Sequence, residues 1–175
     1  MIKLRDILIE IGEGTAKPFK WEYYDEEEGT FNYYFKDDKA QQYVVDISPM
    51  DSGYYDVSFQ LDGGEYKDIT GSGVYRVMAT VMQITWDFID IRFLKAQEDA
   101  IEYTDEGLRG IVYTPIKTKG DRDQRREKLY RKYIDKAFPG SKITTSPTLA
   151  GDTYRITLPS RLQYPPTESN PYKDY

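Results

Sequence analysis

The chain has no cysteine and no histidine among its 175 residues. Without cysteine there is no disulfide frame, no thiol nucleophile and no thiolate metal site. Without histidine, the commonest general base at neutral pH and the commonest transition-metal ligand are both missing. Ser-His, Cys-His and zinc-hydrolase chemistries are therefore excluded. Uninterrupted apolar sequence is scarce too. The stretch Val74–Phe93 lacks Gly and Pro, but Arg76, Gln83, Asp87, Asp90 and Arg92 break it too often for a membrane span. Positive charge is outnumbered: the formal net charge is -6, which repels duplex DNA on average.

What is present in excess is tyrosine, 17 residues of it. Tyrosine couples a large apolar ring to a polar tip and is enriched at protein interfaces, so an acidic, tyrosine-rich chain points to protein partners. The charge is unevenly spread. Between Lys117 and Lys142 stand Lys117, Lys119, Arg122, Arg125, Arg126, Lys128, Arg131, Lys132, Lys136 and Lys142 against Asp121, Asp123, Glu127 and Asp135. About +6 falls in that stretch and about -12 elsewhere, which makes the chain bipolar.

Periodicity organises the sequence around Val74–Phe93. Val74, Val77, Met78, Val81, Ile84, Thr85 and Phe88 recur at helical spacing, and Met82, Trp86 and Ile89 add a second apolar strip. A helix apolar around most of its girth needs cover on more than one side. Ser72 is placed to cap it. From Phe19 to Leu61 the pattern alternates instead. Phe19, Trp21 and Tyr23 face one way with Lys20, Glu22 and Tyr24 the other, and Phe31, Tyr33, Phe35; Tyr43, Val45, Ile47; and Tyr55, Val57, Phe59, Leu61 repeat it between short turns. These read as a four-stranded antiparallel meander with one apolar face, the natural cover for the helix.

Past the helix, Glu98–Tyr103 and Gly110–Ile116 read as strands. A second helix is expected from Gly120–Asp121 to Phe138, with a narrow apolar stripe of Leu129, Tyr133, Ile134, Ala137 and Phe138, and Pro139–Gly140 to stop it. Lys142–Thr145 and Thr153–Leu158 make a last hairpin. The fold expectation is α+β: an antiparallel meander sheet packed on a long central helix, with a basic surface helix and a C-terminal hairpin. Residues 15–158 form one domain on the size prior. Residues 1–14 are an amphipathic peptide, Ile2–Ile11, with a Gly12–Gly14 linker, and 159–175 an extended tail carrying Pro165, Pro166 and Pro171.

Three constellations invite chemistry. Asp25–Glu28 and the Asp37–Asp38 pair are carboxylate clusters of the kind that bind a divalent ion or supply an acid/base pair, but both fall in expected hairpin turns, where charged tips are ordinary. The glycine groups at 12–14, 63–64 and 71–73 lack the spacing of phosphate loops. The basic helix is the sharper case. Arg122, Arg125, Arg126, Lys128 and Lys132, with Tyr130 and Tyr133, supply cations and rings for a partner of opposite charge or for single-stranded nucleic acid.

Tyr75–Val81 (YRVMATV), Gly110–Lys117 (GIVYTPIK) and Arg125–Gly140 (RREKLYRKYIDKAFPG) resemble small proteins of unassigned function encoded by tailed bacteriophages. The N-terminus, MIKLRDILIE, resembles the capsid-targeting peptides of myophage internal head proteins. Their maturation protease cuts after a Glu preceded two positions earlier by an aliphatic residue, a pattern matched by Leu8 and Glu10. The resemblance implies a phage protein found in the virion or the host cytoplasm. The expected function is that of a non-enzymatic binding protein with no cofactor, acting through a phage structural or host protein. A single-stranded nucleic-acid binder, a purely structural virion component and a carboxylate–metal enzyme stand as alternatives.

Overall fold

Alternation becomes strand wherever one face can be buried. The computed structural model describes residues 17–27, 29–62, 73–99, 107–113, 124–148 and 151–163. Strands β1 (Trp21–Glu27), β2 (Thr30–Lys36), β3 (Gln42–Pro49) and β4 (Tyr54–Leu61) pair in chain order, each antiparallel to the next. Helix α1 (Gly73–Asp99) follows, then β5 (Gly110–Tyr113), helix α2 (Gln124–Ala137), β6 (Lys142–Thr148) and β7 (Gly151–Thr157). Among the described residues the seven strands join one sheet in the order β1-β2-β3-β4-β5-β7-β6. The fold is α+β with a mostly antiparallel sheet and two helices among the described residues.

Two readings are corrected. The sheet is not wholly antiparallel: β5 runs parallel to β4, with Tyr54 opposite Gly110 and Val57 opposite Tyr113. A parallel neighbour requires a crossover, and α1 lies in that crossover. The strand expected at Glu98–Tyr103 also fails at its start, because Glu98 and Asp99 belong to α1; residues 100–103 lie outside the described residues. So do the N-terminal peptide, its linker, Ser72 and the tail beyond Gln163.

The register shows how the core is made. Phe31–Ile47–Val57–Tyr113–Tyr154 forms one row across five strands, and Tyr33–Val45–Phe59 another. On this face sit Val77, Met78, Val81, Met82, Ile84, Phe88 and Ile89 of α1. Phe88 meets Phe31 and Tyr55 edge-on, with ring centroids 5.0 and 4.9 Å away. Full burial of such a ring contributes roughly 1.5–3 kcal/mol. A buried polar group on α1 is matched rather than excluded. Thr85 donates to the Val81 carbonyl at 2.9 Å, which leaves its oxygen to accept from the Tyr113 hydroxyl at 2.6 Å. The opposite side of α1 is covered by α2: Trp86 stacks on Phe138 at 5.3 Å and donates its indole N–H to the Ala137 carbonyl at 2.7 Å.

The segment leading into β1 is clamped to the start of α1. Phe19 donates its backbone N–H to Thr80 Oγ1 at 2.9 Å, and Arg76 Nε donates to the Lys17 carbonyl at 2.9 Å. The same guanidinium lies 3.9 Å from the Phe19 ring centre and pairs with Asp38.

Candidate functional site

Both described helices contact the core face or each other, so the second face of the sheet carries the side chains of the other parity. Its rows follow from the strand register. One is Glu22–Tyr34–Val44–Gln60, and the next is Tyr24–Asn32–Asp46–Ser58. At the end of the sheet the pairing of Lys36 with Gln42, and the step beyond Trp21↔Phe35 and Tyr43↔Leu61, sets Lys20, Lys36, Gln42 and Asp62 in line. Gln42 Nε2 donates to Asp62 Oδ2 at 2.8 Å, which closes that row.

These rows border a groove of about 800 Å³ lined by Lys20, Trp21, Glu22, Tyr24, Tyr34, Phe35, Lys36, Gln42 and Asp62. The volume is within the range that ligand sites occupy. Its aromatic wall is built by β1 and β2: the Tyr24 ring meets Tyr34 edge-on with centroids 5.6 Å apart, and Tyr24 is 67% exposed. Tyr23, on the core-facing side of the same edge strand, is 47% exposed beside Tyr33. Strand β1 thus presents aromatic surface on both sides. Residues with two stiff torsions and large area lose little entropy when a partner covers them.

Further along this face lie Asp46 and Asp56, half-buried, each opposite a serine: Asp46 faces Ser58 and Asp56 faces Ser48. Partial desolvation raises both carboxyl pKa values above the ordinary range. Beyond them the sheet is locked around Gly110. The Tyr54 ring lies over the glycine's vacant Cβ position, its hydroxyl bonds Thr157 Oγ1 at 2.8 Å, and the Arg155 guanidinium sits 4.0 Å from the ring centre.

The carboxylates singled out by the sequence divide. Asp37 shapes its own turn, accepting from the backbone N–H groups of Lys39 and Gln41 at 2.8 and 2.9 Å. Asp38 is taken by Arg76. The side chains of residues 25–28 lie outside the described residues. Among the described residues no three Asp or Glu side chains come together to hold a metal, and no helix is long and apolar enough to cross a membrane.

The basic helix falls only in part within the described residues. Arg125, Arg126, Lys128 and Tyr130 fall on the backbone of α2, but their side chains lie outside the described residues, as does Arg122 altogether. Lys132 is exposed beside exposed Arg131. Tyr133 is corrected: it is 0% exposed, with Ile134, Ala137 and Phe138 in the core. Its hydroxyl points to the Tyr75 carbonyl at 3.4 Å, and burial followed by Tyr75 pushes its pKa up to about 12. A ring so enclosed cannot stack on a base. Leu8 and Glu10 lie outside the described residues.

The groove residues were missed as a group, although their signal was present. Alternation had already put Lys20, Glu22 and Tyr24 on the non-core side; it does not say which residues of β2, β3 and β4 stand beside them. Compared with family models, characterised proteins and solved structures, the chain finds no match.

Proposed function

We propose that this chain is a non-enzymatic binding protein that works through a protein partner, and that the partner is met at the tyrosine-bearing β1–β2 end of the sheet. The observation that carries this reading is the exposed Tyr24 ring packed against Tyr34 at the rim of the groove. Exposed tyrosines framed by charged residues are what the centres of protein interfaces use. In this reading α1 is the central scaffold that keeps the sheet rigid, while basic α2 and the β6–β7 hairpin complete the layer. The resemblance of Tyr75–Val81, Gly110–Lys117 and Arg125–Gly140 to phage proteins supports a phage origin, with the partner a phage structural or host protein and the site of action the virion or the host cytoplasm.

Single-stranded nucleic acid is the second reading, favoured by the exposed Arg131–Lys132 pair but weakened by the burial of Tyr133. Capture from phage-infected cells tests both. Parent protein should retain a specific protein, and Tyr24→Ala with Tyr34→Ala should weaken that capture at least about tenfold. Recovery of nucleic acid instead, with retention that drops steeply as salt rises, would reverse the ranking. Mass spectrometry of virions decides the location. A chain starting at Ile11 would support packaging with cleavage after Glu10, and absence from particles would make the protein intracellular.

A further inference from the structure

The groove holds an arrangement that folding alone does not require. Lys20, just before β1, and Lys36, at the end of β2, come one step beyond the Trp21↔Phe35 pair and so fall side by side at the end of the sheet, and both are exposed. Like charges directly opposite across two strands repel. Neither ammonium has a hydrogen bond or ion pair with a described residue. Two residues along β2 from Lys36, on the same face, is Tyr34 with Tyr24 against it. Lys36 and Tyr34 are therefore separated by about 7 Å, the repeat of alternate residues in a strand.

We infer that this groove takes an extended acidic peptide segment of the protein partner, with an Asp or Glu side chain held between Lys20 and Lys36 and an apolar or aromatic side chain two residues away on Tyr34 and Tyr24. The assignment rests on the protein-binding reading above and names the chemistry of the partner. An extended peptide has the same two-residue repeat as the strands beneath it, so alternate side chains fall on the cationic and aromatic stations in turn. The carboxylate between the lysines removes their repulsion while forming charge-assisted hydrogen bonds. A nucleic-acid strand fits worse. Glu22 stands between Lys20 and Tyr24 on β1, and Asp62 closes the far end of the groove beside Gln42; a backbone charged at every nucleotide meets these carboxylates, whereas the peptide places a single carboxylate at the lysines and an uncharged side chain opposite Glu22.

The test is selection of a displayed library of random peptides, about twelve residues long, on the intact chain, followed by titration of the enriched peptides against parent, Lys20→Glu/Lys36→Glu and Tyr24→Ala proteins. Enriched peptides should carry Asp or Glu two positions from an aromatic or large aliphatic residue. They should bind the charge-reversed protein at least about tenfold more weakly and lose affinity as salt rises from about 50 to about 500 mM. Circular dichroism checks that the variants fold, and Lys20→Gln/Lys36→Gln replaces the reversal if it does not. Failure to enrich any peptide, enrichment without the acidic–apolar pairing, equal binding by the charge variant, or competition by an oligothymidine would each overturn the assignment. If the partner captured from cells binds the lysine variant at parental strength, the groove assignment alone falls. If parent protein captures no protein at all, the reading beneath it falls as well.

Discussion

Replacing Gly110 with alanine should unfasten the sheet where its two parts meet. Gly110 pairs with Tyr54 on β4 and with Thr157 on β7, so it sits in the middle of three strands. A Cβ built there collides with the Ile156 carbonyl oxygen and comes within 2.5 and 2.8 Å of Tyr54 Cε1 and Cδ1. The carbonyl belongs to the neighbouring backbone and cannot rotate away. The ring can swing only by giving up the 2.8 Å bond to Thr157 and the 4.0 Å approach of Arg155. Overpacking of this kind costs about 1–3 kcal/mol, the lost hydrogen bond about 1, and the cation–π contact about 0.5–1 at a surface site. The reduced freedom of the unfolded chain returns about 0.4–1 kcal/mol. The net destabilisation is about 2–4 kcal/mol, which for a chain of this size lowers Tm by roughly 5–15 °C. Thermal and urea unfolding followed by circular dichroism measures it. A Tm within about 2 °C of the parent would refute the reasoning. So would full restoration by Tyr54→Ala in the Gly110→Ala background, because that change leaves the carbonyl collision in place.

Two further outcomes follow from buried or half-buried polar groups. Asp87 is half-buried on α1, and desolvation, with Asp90 adding repulsion, pushes its pKa up to about 6. The folded state therefore favours the protonated form: its contribution is fully present below the ordinary carboxyl pKa and is lost as pH rises through 6. Asp46, Asp56 and Asp90 move in the same direction. At pH 7.5, Asp87→Asn should stabilise by about 1 kcal/mol, a full shift worth about 3 being discounted because half of the group is screened by solvent. The gain should shrink toward zero by about pH 4, and a pH-independent difference in Tm would show that Asp87 does not titrate in this way. Thr85→Val should cost about 1–3 kcal/mol, because it strands the buried Tyr113 hydroxyl with only the Met82 sulfur, 3.8 Å away. Adding Tyr113→Phe should recover most of that loss. Additive destabilisation in the double variant would mean that the 2.6 Å bond is not what holds the pair.

The class of fold was legible because two periods are written in different places: period two in Phe31–Phe35, Tyr43–Ile47 and Tyr55–Leu61, and helical spacing from Val77 to Ile89. The parallel pairing of β5 was not. Gly110–Tyr113 is buried at every position, so it shows no alternation, and nothing local records that a strand beyond a helix returns beside β4. Glu98 was misplaced for a related reason, since a short run of mixed residues after a long apolar helix does not mark where that helix ends. Tyr133 exposes a conflict within one helix. The same 3-and-4 spacing that places it in the apolar stripe also brings it beside the basic residues, and the spacing does not tell burial from display. The groove depends on the register of three hairpins. Lys20 and Lys36 are distant in sequence, and the β-bulge between Tyr24 and Glu26 shifts the pairing of β1 in a way that composition cannot reveal.

The parallel pairing of β4 with β5 also divides the sheet in time. Strands β1 to β4 pair with one another in chain order, so each of these pairings closes a short loop and can form as soon as its second strand is available. Strand β5 reaches β4 only after α1 has been traversed, and β7 reaches β5 only after α2 and β6. The topology implies that during synthesis the half bearing Lys20, Tyr24, Tyr34 and Lys36 assembles first. The edge of β4 then stays open until β5 arrives, an interval in which another strand could add to it.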